Sequence, residues 1–300
     1  MKIEQPGRVI EHITMLGKKE SCVYLLDGGG EYAILGGGLA CIIPDIERQL
    51  TELQIDIKKI QKLVILHTHF DHCGIVPYFK RKWPWVEIVA SVRGKALLSK
   101  PKVVNGIGKL NQTHLKETLP DMDPGRLGLE DFAIDVDRAV TEGDTIACGR
   151  LRLEVLETPG HSTCSISLYL PEKKAVFVSD AAGIPFGDRV FTAANSDFDD
   201  YVESLEKIFE CRPEIVLAEH QGARTGQDCR LFMEMSRTSA RDMRKRVEDS
   251  YRRTGDVESS TREITDQVMQ HAPAEFLPAW VVKLVVGGMV YQTSRRVSKV

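Results

Sequence analysis

The chain has 300 residues, of which 42% are hydrophobic and 28% charged, and its formal net charge is −3. That composition suits a folded globular protein with a large core and excludes a disordered or fibrous chain. The slight negative charge argues against a nucleic-acid footprint and against dependence on an anionic membrane, so a small-molecule substrate is expected. The seven cysteines are odd in number, widely spread and form no CxxC pair. They read as free thiols of a reducing compartment rather than a disulfide framework. The opening Met1 to Gly7 has no apolar stretch of the signal-peptide kind, and the apolar run Phe276 to Tyr291 carries Pro278 and Lys283 and is short for a bilayer. A cytoplasmic location is therefore expected.

In chain order, Arg8 to Leu16, Cys22 to Leu26 and Glu31 to Leu35 read as three strands. Gly28-Gly29-Gly30 and Gly36-Gly37-Gly38 lack the Lys-Ser/Thr tail of a phosphate cradle and read as turns. Pro44 to Gln54 shows helical spacing, with Ile46, Leu50 and Leu53 on one face. Leu63 to Leu66 is a short apolar run of the buried-strand kind, and it leads directly into His67-Thr68-His69-Phe70-Asp71-His72-Cys73-Gly74. If the extended geometry continues, His67 and His69 share a face, because residues two apart on a strand do. Asp71 and His72 then fall where the chain turns, and Gly74 relieves tight backbone there.

Gly74 to Lys80 should open a helix, Val86 to Ala90 a strand, and Gly94 to Ser99 and Val103 to Leu119 two more helices. Residues 120 to 131 form a loop. Short strands are expected at Ala139-Val140, Thr145 to Ala147, Leu151 to Glu157, Ser165 to Leu170, Ala175 to Val178 and Glu214 to Leu217. Asp197 is a candidate N-cap for a helix reaching Phe209. From residue 225 onward the pattern is helical almost throughout, in three segments, the last from Phe276 to Ser294. The basic run Arg241 to Arg246 reads as a solvated helix face.

Three further chemistry-bearing residues stand just past expected strands: His161 after Thr158-Pro159-Gly160, Asp180 after Val176 to Ser179, and His220 after Val216 to Glu219. Loops at strand ends are where rigid scaffolds present functional groups. With the 67–72 cluster, five of the eight histidines belong to this set, and imidazoles with carboxylates suit a borderline divalent ion or iron. His12, His114 and His271 read as structural or surface residues.

The constellation resembles the metallo-β-lactamase fold superfamily. The matching motifs are His67-Thr68-His69-Phe70-Asp71-His72, Thr158-Pro159-Gly160-His161-Ser162, Ser179-Asp180 and Glu219-His220-Gln221-Gly222. The resemblance implies an α/β fold, an αββα sandwich, over residues 1–222, with a C-terminal helical extension over residues 223–300. It implies that His67, His69 and His161 hold one metal, that Asp71, His72 and His220 hold a second, and that Asp180 bridges them. Asp71 and Asp180 would be the catalytic carboxylates, with a metal-bridging hydroxide as nucleophile. Zn, Fe and Mn all suit this N and O donor set. The chain departs from the family pattern at Ser165, where glyoxalase-II-like relatives carry a histidine. It departs again at Gly36-Gly37-Gly38, where many relatives carry Asp-Thr-Gly, which leaves a supporting carboxylate unaccounted for.

Pro77-Tyr78, the segment Tyr201 to Glu206 and the step Phe276-Leu277-Pro278 resemble the subgroup containing the bacterial quinolone-signal response thioesterase. That implies hydrolysis of an acyl thioester or ester. For an acyl-CoA-type thioester, Arg81, Lys82 and Arg224 are candidate phosphate contacts; a phosphodiesterase or lactonase on the same metal pair is the alternative. A binding or regulatory protein with a structural metal is the alternative of another class. An oxygen reductase is disfavoured, since no flavin-binding domain follows. The helical tail reads either as a cap over the metal edge or as helices packed for stability, including a homodimer surface.

Overall fold

The computed structural model describes residues 1–272 and 277–297. Two seven-stranded sheets face each other across an apolar centre. The first runs, in spatial order, Gly7–Ile10, Ile13–Gly17, Cys22–Asp27, Tyr32–Leu35, Ile60–Val64, Glu87–Ser91 and Arg138–Val140. Its early pairings are antiparallel, and from Tyr32–Leu35 onward they are parallel. Parallel neighbours need crossovers. The helices Ile43–Glu52, Val76–Lys82, Val92–Leu98 and Pro101–Thr118 lie on these connections and pack on the sheet's outer face.

The second sheet runs Lys2–Ile3, Ala223–Thr225, Ile215–Leu217, Ala175–Phe177, Ile166–Leu170, Leu151–Glu157 and Thr145–Cys148. Its one parallel pair, Ala175–Phe177 with Ile215–Leu217, is bridged by the helix Phe198–Glu210. That helix and three from the tail, Gln227–Thr254, Val257–Met269 and Ala279–Val297, cover its outer face. The layers are therefore helix, sheet, sheet, helix, as expected.

Period-two alternation explains the two-sided burial of the inner strands. In Cys22–Asp27, Tyr24 and Leu26 enter the layer between the sheets, while Val23 and Leu25 face the first helical layer. Leu151–Glu157 lies nearer an edge, and there Arg152 and Glu154 alternate outward to solvent.

Several boundaries differ from the sequence expectation. Arg8 to Leu16 is two strands, broken at Glu11-His12, where His12 takes a left-handed φ of +72°. Nothing in a non-glycine residue announces that turn. A hairpin, Ile184–Phe186 with Arg189–Phe191, was not expected, because Pro185 and the flanking glycines argue against a strand. Ala223–Thr225 extends the second sheet beyond residue 222, so the helical tail starts at Gln227. Of the Phe276-Leu277-Pro278 step, Phe276 lies outside the described residues. Among the described residues, no helix is long and apolar enough to cross a membrane.

Candidate metal centre

The strands Ile60–Val64, Leu151–Glu157, Ala175–Phe177 and Ile215–Leu217 deliver their following loops to one edge of the sandwich. After Val64 the chain stays extended and sheet-bonded as far as Ile65, whose N–H donates to Val89 O. It then tightens into a 3-10 turn over Phe70–His72. That shift from extended to helical backbone is what lets four ligand-type residues in six positions converge.

Two glycines make the convergence possible, for reasons of space. A Cβ on Gly74 would lie 2.3 Å from Ala40 N and 2.4 Å from Asn111 Oδ1, so this position needs a glycine for close approach, not for an unusual φ. Gly160, just before His161, has φ +115°, and a Cβ there would lie 2.2 Å from Tyr201 N.

All seven candidate residues meet. His161 Nε2 lies 3.1 Å from His67 Nε2 and 2.9 Å from His69 Nδ1. His72 Nε2 lies 3.2 Å from His220 Nε2, and each is 3.5 Å from Asp71 Oδ2. Asp180 stands between the two groups. Its Oδ2 is 3.4 Å from His161 Nε2, 3.2 Å from His72 Nε2 and 4.0 Å from His67 Nε2, and its Oδ1 is 3.7 Å from His220 Nε2.

This donor set fits two cations. Tetrahedral ligands about 2.0–2.1 Å from a zinc-like ion stand roughly 3.3 Å apart, the separation seen here between facing nitrogens. Asp180 Oδ1 is buried and has no hydrogen-bond partner among the described residues, an arrangement that costs free energy unless a cation meets it. Among the described residues no lysine or arginine pairs with Asp71, Asp180 or Glu219; only histidines do.

The electrostatics sort the imidazoles. Burial, reinforced by the neighbouring histidines, pushes His67 well below its ordinary value, and burial and His161 bring His69 down to about 3. Burial also lowers His161. These three are therefore neutral and have lone pairs to offer. Burial works against charge on His72 and His220 as well, but the carboxylates around them outweigh it and raise both. Burial opposes ionisation of Asp71 and Asp180, yet the same histidines win and hold both carboxyls well below the usual range.

The outer ring nitrogens are held too. His161 Nδ1 lies 2.8 Å from Ala193 O and His220 Nδ1 2.6 Å from Glu20 O, which fixes the tautomer that leaves Nε2 free. His67 and His72 turn their Nδ1 atoms toward Ser179 and Glu219 instead. His67, His72 and Glu219 could themselves group around an ion. Ser179 Oγ already sits among those three, however, bonded towards each, so they read as support behind the centre.

Sequence reasoning missed two residues. Glu219 is one; a single acid at the end of an apolar strand gives no periodic signal. His114 is the other. It was read as structural or surface, but it lines a cavity of about 320 Å³ together with Asp71 and His220. Its buried Nδ1 has no hydrogen-bond partner among the described residues. The cavity wall joins apolar side chains, including Leu39, Ile42, Phe70 and Ile184, to polar ones that include Lys18, Glu20 and Thr118, and the tail adds Leu277, Pro278 and Val281. Trp280 stacks on Phe70 with ring centroids 5.9 Å apart. None of Arg81, Lys82 and Arg224 lines it; Lys82 pairs with Glu47, and Arg224 is buried against Gln221 O and Glu4.

Comparison with known proteins gives the family and the fold. The family model described as the metallo-beta-lactamase superfamily matches residues 17–220. A metallo-beta-lactamase fold-containing protein of Sulfurisphaera tokodaii is 29% identical over 170 residues, covering 55% of this chain and 62% of that protein. A hydroxyacylglutathione hydrolase of Brucella anthropi is 47% identical over 45 residues, 15% of this chain and 17% of the enzyme. The chain thus spans less than two thirds of the length of either relative. Among solved structures, a metallo-beta-lactamase family protein from Thermus thermophilus superposes with a TM-score of 0.68 at 15% identity, covering 96% of this chain and 95% of that one. At that identity the likeness speaks to the fold.

Proposed function

The chain belongs to the metallo-beta-lactamase superfamily, and from that premise we propose that it is a two-metal hydrolase of thioesters or esters of apolar acyl groups. The observation that carries the acyl reading is the apolar cavity opening on Asp71 and His220. Apolar walls favour an acyl chain or ring by removing its surface from water, and Lys18, a cation on the same wall, is already paired with Asp45 at 3.4 Å. The relative named as a hydroxyacylglutathione hydrolase also supports acyl chemistry, as does the subgroup resemblance at Pro77-Tyr78 and Tyr201 to Glu206.

In this reading His67, His69 and His161 would hold one cation and Asp71, His72 and His220 the other, with Asp180 standing between the two groups. Two such cations, when bound, lower the pKa of a water molecule and polarise a substrate carbonyl. The chain's own residues do the rest. Asp71, ionised and half-buried at the cavity edge, is placed to orient the attacking water. Phe70, Ile184 and Val281 hold the acyl group and exclude bulk water. The tail, through Leu277, Pro278 and Val281, acts as a cap that shapes the acyl pocket.

The test is a panel of acyl thioesters and esters of increasing chain length, with a phosphodiester and a lactone, on metal-loaded protein. kcat/KM should rise with acyl length until the cavity is filled and exceed the phosphodiester rate. A preference for the phosphodiester, or rates indifferent to the acyl group, would refute the acyl reading.

A further inference from the structure

Glu219 is 1% exposed, and its carboxylate is turned toward the metal edge. Its Oε1 accepts the Gly37 N–H at 3.1 Å. Its Oε2 accepts the Ser179 hydroxyl at 2.5 Å and lies 3.0 Å from His72 Nδ1. Ser179 Oγ in turn lies 3.2 Å from His67 Nδ1. One carboxylate is therefore linked to two imidazoles, directly to His72 and through one hydroxyl to His67.

The surrounding backbone is shaped around that carboxylate. A Cβ on Gly36 would lie 2.5 Å from Glu219 Oε1, and a Cβ on Gly37 would lie 2.1 Å from His72 O. The glycine run read from sequence as a turn is thus the gap that admits the Glu219 side chain and the 70–72 turn together. Ser179 holds a left-handed φ of +47°, a conformation that costs a serine on the order of 1 kcal/mol or more. A buried carboxylate and a strained serine persist only where the surroundings fix them.

The two imidazoles belong to different cation sites. His67 groups with His69 and His161, and His72 with Asp71 and His220. We propose that Glu219 is a positioning residue common to both sites, orienting His72 directly and His67 through Ser179, so that each ring presents Nε2 to its cation. The proposal rests on the two-cation part of the functional reading and not on the substrate. The chemical reason is that an Nδ1–H held by an acceptor fixes both the tautomer and the angle of the ring, and a carboxylate makes the ring a better donor to the ion. An amide cannot replace it. Glu219 faces three donors, the Gly37 N–H, the Ser179 O–H and the His72 N–H, and a glutamine NH2 would turn a donor toward one of them.

The experiment titrates the metal-free full chain with zinc in a calorimeter. It then records proton NMR of the cobalt(II)-loaded protein, where each retained histidine Nδ1–H gives a shifted, exchangeable signal. Wild type should take two ions. Glu219→Gln should weaken both by about 10–100-fold and speed exchange of two Nδ1–H signals. Ser179→Ala should weaken one ion and speed one signal. Wild type taking no ion would sink the metal reading beneath the proposal. Wild type taking two, with Glu219→Gln unchanged in affinity and exchange, would overturn the proposal alone. Should Glu219→Gln not fold, a folded Ser179→Ala with unmoved signals would overturn the link to His67.

Discussion

Asp180 is the residue on which the two groups of ligands depend. Replacing it with Asn keeps the shape, removes the charge and leaves an amide facing the His72 and His161 nitrogens. Asp180→Asn should hold less metal by elemental analysis and lose turnover, while its circular dichroism stays that of the wild type; full activity would contradict a bridging role. Gly160 makes the complementary point about space. Gly160→Ala puts a methyl 2.2 Å from Tyr201 N at a φ of +115°. It should destabilise the fold by at least about 1–2 kcal/mol, read as a lowered Tm. The seven candidate ligands were legible in the sequence because their types are rare together just past short apolar runs, and because the motifs they form resemble those of the family. Glu219 and His114 were not legible, because their roles come from what the fold sets opposite them. The glycines at 36 and 37 carried a signal, but its cause lies far along the chain, in the Glu219 carboxylate for Gly36 and in the His72 carbonyl for Gly37.

At the scale of elements, the inner strands were readable because their faces are apolar on both sides. What escaped were the segments where a local rule yields to packing: Pro185 in a hairpin, Arg224 in a buried strand, His12 at a left-handed turn. The Asp197 cap was legible, and it does more than sequence reveals. Its Oδ1 accepts the Asp199 and Asp200 N–H groups, and the carboxylate also takes Arg296 from the last helix. Burial pushes the Asp197 carboxyl up, but the Asp200 N–H, Arg296 and the Asp199 N–H outweigh it and hold it below its ordinary 3.8. A carboxyl lowered in the folded state adds stability above its unfolded pKa and loses it as pH falls through the folded one. The Tm gap between wild type and Asp197→Ala should therefore be full and level above about pH 5, and shrink below about pH 4. A gap that widens in acid would contradict this pairing.

Across the whole molecule, the αββα layers fix the edge where the candidate ligands meet, and in the proposed reading the tail shapes what reaches it. The apolar layer between the sheets and the two outer cores hold the strand ends in register, so the ligands arrive on rigid supports. Val281 comes from the last helix and lines the cavity beside Asp71 and His220. Val281→Phe should shorten the longest acyl chain hydrolysed well, raising KM for long substrates more than it lowers kcat for short ones; an unchanged chain-length profile would place the acyl group elsewhere.

The central claim is that two cations sit at this edge and that turnover needs both. The measurement that tests it most directly is the metal content of protein purified without added metal, paired with a thioester hydrolysis assay on the same sample before chelation, after it and after refilling. The account predicts close to two ions per chain, with activity lost on chelation and regained as the second equivalent is restored. A folded chain that binds one ion or none after refilling, or that hydrolyses substrate equally well without metal, would contradict it.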